Sequence, residues 1–219
     1  MNTKASPHRR SMVVWVSFAI TMTIVGGFLV ITDPAPAPPL SSFAAMDVSQ
    51  ASPRTVFDTA VDVQREDRWL DIVIHDSGLA HGSVEAMARE HQARGLHGLG
   101  YHFLIGNGNG MGDGELHVGY RWNEQLAGAH ALGPQANQLN QHAIGICLIG
   151  NGNRRPFTQA QIDRLLRLVV GLQKELGIPL DHVRLHRDVT SGVNSPGRLF
   201  PTDFFLRLSS LGNTANQGG

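Results

Sequence analysis

An uncharged apolar stretch near the N-terminus, Met12–Ile31, decides where in this chain a globular domain can form. At about 20 residues it is long enough to cross the hydrocarbon core of a membrane as a helix. Three basic residues and no acidic residue precede it, so the positive-inside rule places residues 1–11 in the cytoplasm. We therefore predict an inner-membrane anchor at residues 12–31, with the rest of the chain on the periplasmic or extracytoplasmic side.

A cleaved signal peptide is the alternative for this stretch, and the domain is then secreted. The apolar region of a signal peptide is normally only about 7–15 residues long, with a small-residue cleavage site close behind it. Here the stretch is longer and runs into the Pro/Ala-rich segment Asp33–Leu40, which predicts an extended spacer. We interpret residues 32–66 as linker and stalk, with a short helix that packs onto the domain, residues 67–211 as the domain, and residues 212–219 as a disordered tail.

Within residues 67–211, short apolar runs alternate with amphipathic segments. Apolar runs that predict buried strands are Leu70–Ile74, Tyr101–Ile105, Ala143–Ile149 and Val183–Leu185, and Glu115–Tyr120 predicts a hairpin partner. Helices are predicted over Val84–Arg94, from Thr158 to about Leu176, and over Thr202–Leu211. This alternation predicts a single α/β domain with a mixed central β-sheet flanked by helices.

A glycine-rich segment, residues 106–114, lies between two of the predicted strands. Such a segment indicates phosphate binding only if a helix begins there, whereas the residues that follow have the alternating pattern of a strand. Asn-Gly and Asp-Gly pairs are typical of hairpin turns. We therefore interpret this segment as a turn.

The composition excludes several classes of function. The formal net charge is zero and the basic residues are scattered, so a nucleic-acid partner is not predicted. The single cysteine, Cys147, excludes an intramolecular disulfide and a multi-cysteine zinc finger. There are 11 histidines, of which a metal site can use only two or three. No oligomeric state is predicted.

Two of these histidines follow predicted buried strands. His75 stands at the carboxyl end of the first strand, and His186 directly follows the last. Neutral imidazole is a common zinc ligand in catalytic sites. A histidine at a strand end is nevertheless more often a hydrogen-bonded structural residue, so the pattern by itself leaves both interpretations open.

Five sequence pieces bear on whether these two histidines are metal ligands or structural residues. They are IVIHDS, GLGYHFLIGNGNG, LAGAHALG, AIGICLIGN and LHRDV…SPGRLFP. Together and in this order they resemble the amidase domain shared by bacterial and phage N-acetylmuramoyl-L-alanine amidases and by peptidoglycan recognition proteins. The resemblance covers nearly all of Leu70–Pro201 and none of the anchor or linker. It implies a zinc-dependent hydrolase of the bond between N-acetylmuramic acid and L-alanine, with peptidoglycan or muropeptides as its partner.

The resemblance also implies roles for particular residues. The zinc-binding histidines of the family fall on His75 and His186. The tyrosine that in some members assists the attacking water or the scissile carbonyl falls on Tyr101, and the histidine that lines the cleft falls on His130. Cys147 falls where some members carry a catalytic glutamate, and we interpret it as a buried strand cysteine.

Two further residues of the matched pieces, Asn107 and Arg187, are predicted to bind substrate. The third zinc ligand departs from the family, because the family has Cys or Asp directly before the Pro-Gly pair and this chain has Ser195. A serine hydroxyl is neutral and rarely binds zinc. Val193 stands where the family often has Lys or Thr to help the oxyanion.

We expect a weak zinc site that is completed by Ser195, by Asp188 or by His130. The alternative is a non-catalytic peptidoglycan-binding module of the same fold. It is favoured by Ser195, because the same Cys-to-Ser change marks animal recognition proteins that bind peptidoglycan without cutting it.

Overall fold

The computed structural model describes Val56, Phe57 and residues 68–217. The predicted cytoplasmic segment, the predicted anchor at residues 12–31 and most of the predicted linker lie outside the described residues. Among the helices that are described, none is both long enough and apolar enough to cross a membrane.

The centre of the domain is a five-stranded sheet. Its strands are β1 (Asp71–Asp76), β2 (Phe103–Ile105), β3 (Leu116–Val118), β4 (Ala143–Leu148) and β5 (Val183–Leu185), in the spatial order β3-β2-β4-β1-β5. The β2–β3 pair is antiparallel and the other three pairs are parallel. The mixed sheet is confirmed, and the carboxyl ends of β1, β2, β4 and β5 meet at one edge.

The helices are α1 (Val84–Ala93), α2 (Tyr120–Asn123), α3 (Ala136–His142), α4 (Gln159–Leu176), α5 (His186–Val189) and α6 (Phe204–Gln217). The predicted capping box at the start of α4 is present between Thr158 and Gln161, and Gly177 ends that helix with φ 70°. The short helices α2, α3 and α5 were not predicted, because one or two turns are too few to show a helical periodicity.

The end of α6 differs from the prediction. The sequence analysis ended this helix at Leu211 and interpreted residues 212–219 as disordered, whereas the helix continues to Gln217. A glycine such as Gly212 lowers helix propensity by about 1 kcal/mol relative to alanine, which weakens a helix without ending it. The first turns of α6 are held in place because Phe204 and Leu208 are buried in the core.

One face of the sheet carries the main hydrophobic core. Large side chains from the strands pack there against α4 and α6; they include Ile72, Ile74, Ile144, Ile146, Leu165, Val169 and Phe204. Val56 is buried in the same core, and its carbonyl accepts a hydrogen bond of 2.8 Å from Trp122 Nε1. Val56 and Phe57, which belong to the predicted stalk, are helical and pack against this core.

The opposite face of the sheet is built differently. The register places His75 beside Cys147, and Val73 beside Gly145, on this face. Met87 of α1 packs over Cys147, and Leu139 of α3 belongs to a separate small cluster with Val73. The small residues of β4 leave room above the sheet, and polar rings occupy it.

Candidate functional site

The site lies at the carboxyl ends of β1 and β5. His75 is the last but one residue of β1, and His186 directly follows β5, which pairs in parallel with β1. The two ring centroids are therefore only 4.3 Å apart. Burial lowers the pKa of His75 well below its ordinary value, and His130 and His186 lower it further. Both strand-end histidines are brought together as predicted, and His75 is held as a neutral imidazole.

His186 offers an unused ring nitrogen. Its Nε2 is buried and has no hydrogen-bond partner among the described residues, and leaving such an atom unsatisfied is costly. Burial lowers the pKa of His186, while the carboxylate of Asp76 acts in the opposite direction. A neutral imidazole with a free nitrogen is the form that binds a metal ion.

His130 lies behind His75. Its Nδ1 is 3.1 Å from Nε2 of His75, and its own Nε2 is 3.1 Å from the carbonyl oxygen of Ala143. Burial is the main cause that lowers the pKa of His130 to about 4. Because both of its ring nitrogens have partners, His130 contacts the site without offering a third metal-binding nitrogen.

The ring of His130 needs the glycine beneath it. A Cβ atom on Gly145 would stand 2.4 Å from Cδ2 of His130, which is closer than real contacts allow. Both backbone groups of Gly145 are also used by His102: its N–H donates to Nδ1 of His102 (2.9 Å), and its carbonyl accepts from the backbone N–H of His102 (2.9 Å). Gly145 therefore joins β2 to β4 and leaves space for His130.

Ser195 is brought to the same edge of the sheet. Its Oγ accepts a hydrogen bond of 2.8 Å from the backbone N–H of Asp76, the residue after His75. Its carbonyl accepts from the backbone N–H of Arg187 (2.8 Å), and Arg187 Nη1 donates to the carbonyl of Gly197 (2.6 Å). The predicted substrate residue Arg187 thus holds the loop that carries Ser195.

Asp188 and His130, the predicted alternatives to Ser195 as third zinc ligand, do not form a three-residue metal site with His75 and His186. Asp188 is exposed and its nearest ionic partner is Arg187, at 3.9 Å. Across the described residues there is no group of three or more His, Cys, Asp or Glu side chains that could hold a metal ion. Two imidazoles and the neutral hydroxyl of Ser195 are what remains. The two imidazoles are donors of the kind that bind zinc, whereas the hydroxyl of Ser195 is a poor donor and contributes no negative charge to a metal.

Tyr101 lies beside His75, with ring centroids 5.2 Å apart. It packs against the small apolar cluster that contains Cys147. Burial raises the pKa of Tyr101 well above its ordinary value, and burial likewise raises the pKa of the Cys147 thiol. Tyr101 is therefore a neutral phenol that can donate a proton to a hydrogen bond. Cys147 is fully buried, as predicted, and a neutral thiol cannot serve as a base.

Asn107 belongs to the glycine-rich segment, which forms the predicted turn between the antiparallel strands β2 and β3. Its Nδ2 donates to the carbonyl of Ala80 (3.1 Å), and its Oδ1 accepts from the backbone N–H of Asn109 (3.0 Å). The predicted substrate residue Asn107 lies at the site edge of the sheet, where both ends of its amide hold loops together.

Asp76 is a site residue that the sequence analysis missed. Its half-buried carboxylate accepts a hydrogen bond of 3.0 Å from the backbone N–H of Gly152 and lies close enough to His186 to influence its charge. Strand alternation places Asp76 on the face opposite His75, so it did not fit the pattern. The available signal was its position, because the last residue of a strand turns toward the edge where loops meet.

A family model described as N-acetylmuramoyl-L-alanine amidase matches residues 66–198. Peptidoglycan-recognition protein SC2 of Drosophila simulans is 42% identical over 64 residues, which are 29% of this chain and 28% of that protein. The chain therefore matches little more than a quarter of the length of this relative.

Two solved structures share the fold. The endolysin N-acetylmuramoyl-L-alanine amidase LysCS from Clostridium intestinale URNW has a TM-score of 0.55 and 29% identity, covering 67% of this chain and 84% of that chain. A mutant of Drosophila PGRP-LB in complex with tracheal cytotoxin has a TM-score of 0.51 and 27% identity, covering 66% of this chain and 82% of that chain.

Proposed function

This chain belongs to the N-acetylmuramoyl-L-alanine amidase family, and from that premise we propose that it binds peptidoglycan and hydrolyses the amide between N-acetylmuramic acid and L-alanine with the help of zinc. The observation that carries the proposal is the pair of neutral imidazoles, His75 and His186, whose ring centroids lie 4.3 Å apart. Nε2 of His186 is buried and meets no hydrogen-bond partner in the part of the chain that the structure describes, which supports a metal at this place.

In this proposal His75 and His186 would hold zinc, with the hydroxyl of Ser195 as a weak third partner. When bound, zinc would supply Lewis-acid chemistry toward the scissile carbonyl and an attacking water molecule. Tyr101 remains a neutral phenol and donates a hydrogen bond to the oxygen on which charge develops.

A second candidate function is a peptidoglycan-binding module without catalysis. It is favoured by Ser195, whose neutral Oγ stands at the third-ligand position and already accepts the N–H of Asp76 at 2.8 Å. A catalytic zinc site normally has three protein ligands. With two imidazoles and a hydroxyl that is already engaged, zinc affinity falls well below that of a three-ligand site, and the cleft then retains recognition alone.

The two functions are separated by measuring zinc content beside the release of L-alanine-linked peptide from muropeptides. For the enzyme, the wild type binds zinc and releases peptide, His186→Ala abolishes both, and His97→Ala, an exposed histidine outside the site, changes neither. For the binding module, the wild type retains muropeptides without releasing peptide even with added zinc. Hydrolysis that survives both chelation and His186→Ala contradicts the zinc-dependent proposal.

Ser195→Cys sharpens the same experiment. A thiolate contributes the negative charge that the present donor set lacks and loses its proton to the metal. We expect tighter zinc binding in this variant in either case, and Ser195→Ala is the matched control that removes the hydroxyl without adding a charge. Turnover in Ser195→Cys remains limited by Val193, which supplies no group for the oxyanion.

We also propose that residues 12–31 anchor the protein in the membrane with the domain on the extracytoplasmic side. The support is the length of the uncharged stretch and the basic residues before it. Membrane fractionation, followed by sequencing of the mature N-terminus, tests this. A mature N-terminus within residues 33–50 on a protein free of the membrane establishes a cleaved signal peptide instead.

A further inference from the structure

His130 has a place in the site that its resemblance-based role, lining the cleft, does not explain. It is buried, its exposed fraction is 7%, and it lies between His75 and β4. Its two ring nitrogens contact two different groups, a backbone carbonyl and another imidazole. Those two contacts determine where the protons of both rings are.

The contact with Ala143 fixes the first proton. A backbone carbonyl oxygen can only accept, so Nε2 of His130, 3.1 Å away, carries a hydrogen and donates it. The ring of His130 is buried, and its two nitrogens contact only a carbonyl oxygen and another imidazole, so nothing at these contacts compensates a second proton and the ring is neutral. A neutral imidazole carries one N–H, so Nδ1 of His130 is an acceptor.

The contact with His75 fixes the second proton. Nδ1 of His130, as an acceptor, faces Nε2 of His75 at 3.1 Å, so Nε2 of His75 carries the hydrogen. His75 is also buried, and the rings of Tyr101, His130 and His186 surround it, so it is neutral as well. Its only lone pair is then on Nδ1, which has no hydrogen-bond partner among the described residues.

We propose that His130 is a positioning residue that holds His75 in the Nε2–H tautomer, so that Nδ1 of His75 is the nitrogen presented to a ligand. The order of donors is His75 Nε2–H to His130 Nδ1, and His130 Nε2–H to the carbonyl of Ala143. A metal-binding histidine commonly donates its second ring N–H to a partner that fixes its tautomer. Here that partner is itself an imidazole, which in turn is fixed by the backbone of β4.

Gly145 is the structural condition for this arrangement. His130 reaches both of its partners only because its ring lies directly over this glycine, where a Cβ would approach Cδ2 to 2.4 Å. Gly128 also leaves space for this ring, since a Cβ added there would lie 2.4 Å from Cδ2 of His130.

The tautomer itself does not depend on the proposed function, and only its consequence for zinc does. The test is therefore nitrogen-15 NMR of the histidine rings in the chelated full-length chain in detergent, at a pH of about 7.5 where both rings are neutral. The His75 signals are assigned by their loss in His75→Gln. We expect one protonated nitrogen on each ring, Nε2 in both. A His75 ring protonated on Nδ1 in the wild type overturns the proposal without any variant.

Two variants of His130 separate positioning from a general structural effect. In His130→Asn, the amide oxygen stands where Nδ1 was and still accepts from His75, so His75 keeps its tautomer. In His130→Gln, the longer amide keeps the bond to Ala143 and loses the acceptor, so His75 becomes a mixture of tautomers. If His75 keeps a single Nε2–H form in His130→Gln, the proposal is wrong.

Zinc affinity supplies the second readout. Loss of a partner that orients a metal-binding histidine typically weakens metal binding by about 10–100-fold. We expect a loss of this size in His130→Gln and a smaller one in His130→Asn. If the tautomers behave as expected while the wild type binds no zinc, the inference about His130 holds and the zinc-dependent function fails.

Discussion

The two faces of the β-sheet use the same strands for opposite purposes. On the core face, Ile72, Ile74 and Ile146 are fully buried against α4 and α6 and contribute only apolar contacts. On the site face, the alternate residues of the same strands include His75, Gly145 and Cys147. The core face is filled by large apolar side chains. On the site face Gly145 has no side chain, and the ring of His130 occupies the space above it.

This difference explains why histidines occupy the site face without being charged. His75, His102 and His130 all have lowered pKa values, and burial is the largest cause for each. A buried imidazolium is costly unless a charge compensates it, so the neutral form prevails. The site face therefore presents neutral imidazole rings with nitrogen lone pairs. Apolar burial on the core face supplies the free energy that stabilises the fold around them.

The largest expected effect comes from the core face. Leu165 of α4 is fully buried, and truncation of such a residue typically destabilises a domain by about 2–5 kcal/mol. We expect Leu165→Ala to lower the free energy of unfolding by this amount, measured by urea denaturation, while the folded protein keeps its zinc affinity. Leu132→Ala, at an exposed leucine (78% exposed), is the control. If Leu165→Ala weakens zinc binding by the folded protein, the two faces are not separable.

Gly145→Ala gives the corresponding test on the site face. The added Cβ forces His130 to move, and overpacking of this kind costs about 1–3 kcal/mol. We expect both a lower free energy of unfolding and weaker zinc binding, measured by denaturation and calorimetric titration. Gly212→Ala is the matched control, because a Cβ there meets no atom within 4 Å. Unchanged zinc binding in a destabilised Gly145→Ala contradicts the role of His130.

The smallest expected effect is a change in how steeply the free energy of unfolding depends on pH. Burial lowers the pKa of His102 to about 3, whereas a histidine in the unfolded chain titrates near its ordinary value of about 6.5. Between these values only the unfolded chain takes up the proton, so stability is complete above about pH 6.5 and is lost as the pH falls, by up to roughly 1.4 kcal/mol per pH unit.

His102→Gln removes this one titrating group and keeps a side-chain N–H for the carbonyl of Leu126. We therefore expect the free energy of unfolding to depend less steeply on pH between about 5 and 6 in the variant, by about one proton. Urea denaturation at several pH values measures this slope. Equal slopes in the wild type and the variant show that His102 is not held neutral by burial.

The sequence predicted most of the regular structure, because long or strongly patterned segments carry their own signal. The periodic apolar face of α4 and its capping box at Thr158 are local features, and both are present. The last helix extends beyond its predicted end at Leu211 to Gln217. The helices α2 and α5 were missed because four residues show no period.

The candidate site was predicted in part, because some of its residues are marked by local sequence pattern. The positions of His75 and His186 at strand ends follow from local pattern, and parallel pairing of β1 and β5 brings them together. Asp76 and the roles of Arg187 and Asn107 did not follow, since these depend on hydrogen bonds to loops distant in sequence. Arg187 holds the Gly197 carbonyl, and Asn107 holds the Ala80 carbonyl.

The sequence by itself determined the order of the strands and of the three longest helices, the family, and which side chains stand at strand ends, because each of these is expressed in local pattern or in motifs. Only the tertiary structure decided which atoms of those side chains are free. The partner that fixes the proton of His75 is His130, 55 residues away, and Ser195 is bonded to Asp76 across 119 residues. Proton positions and hydrogen-bond partners depend on distances of a few tenths of an ångström, which packing sets.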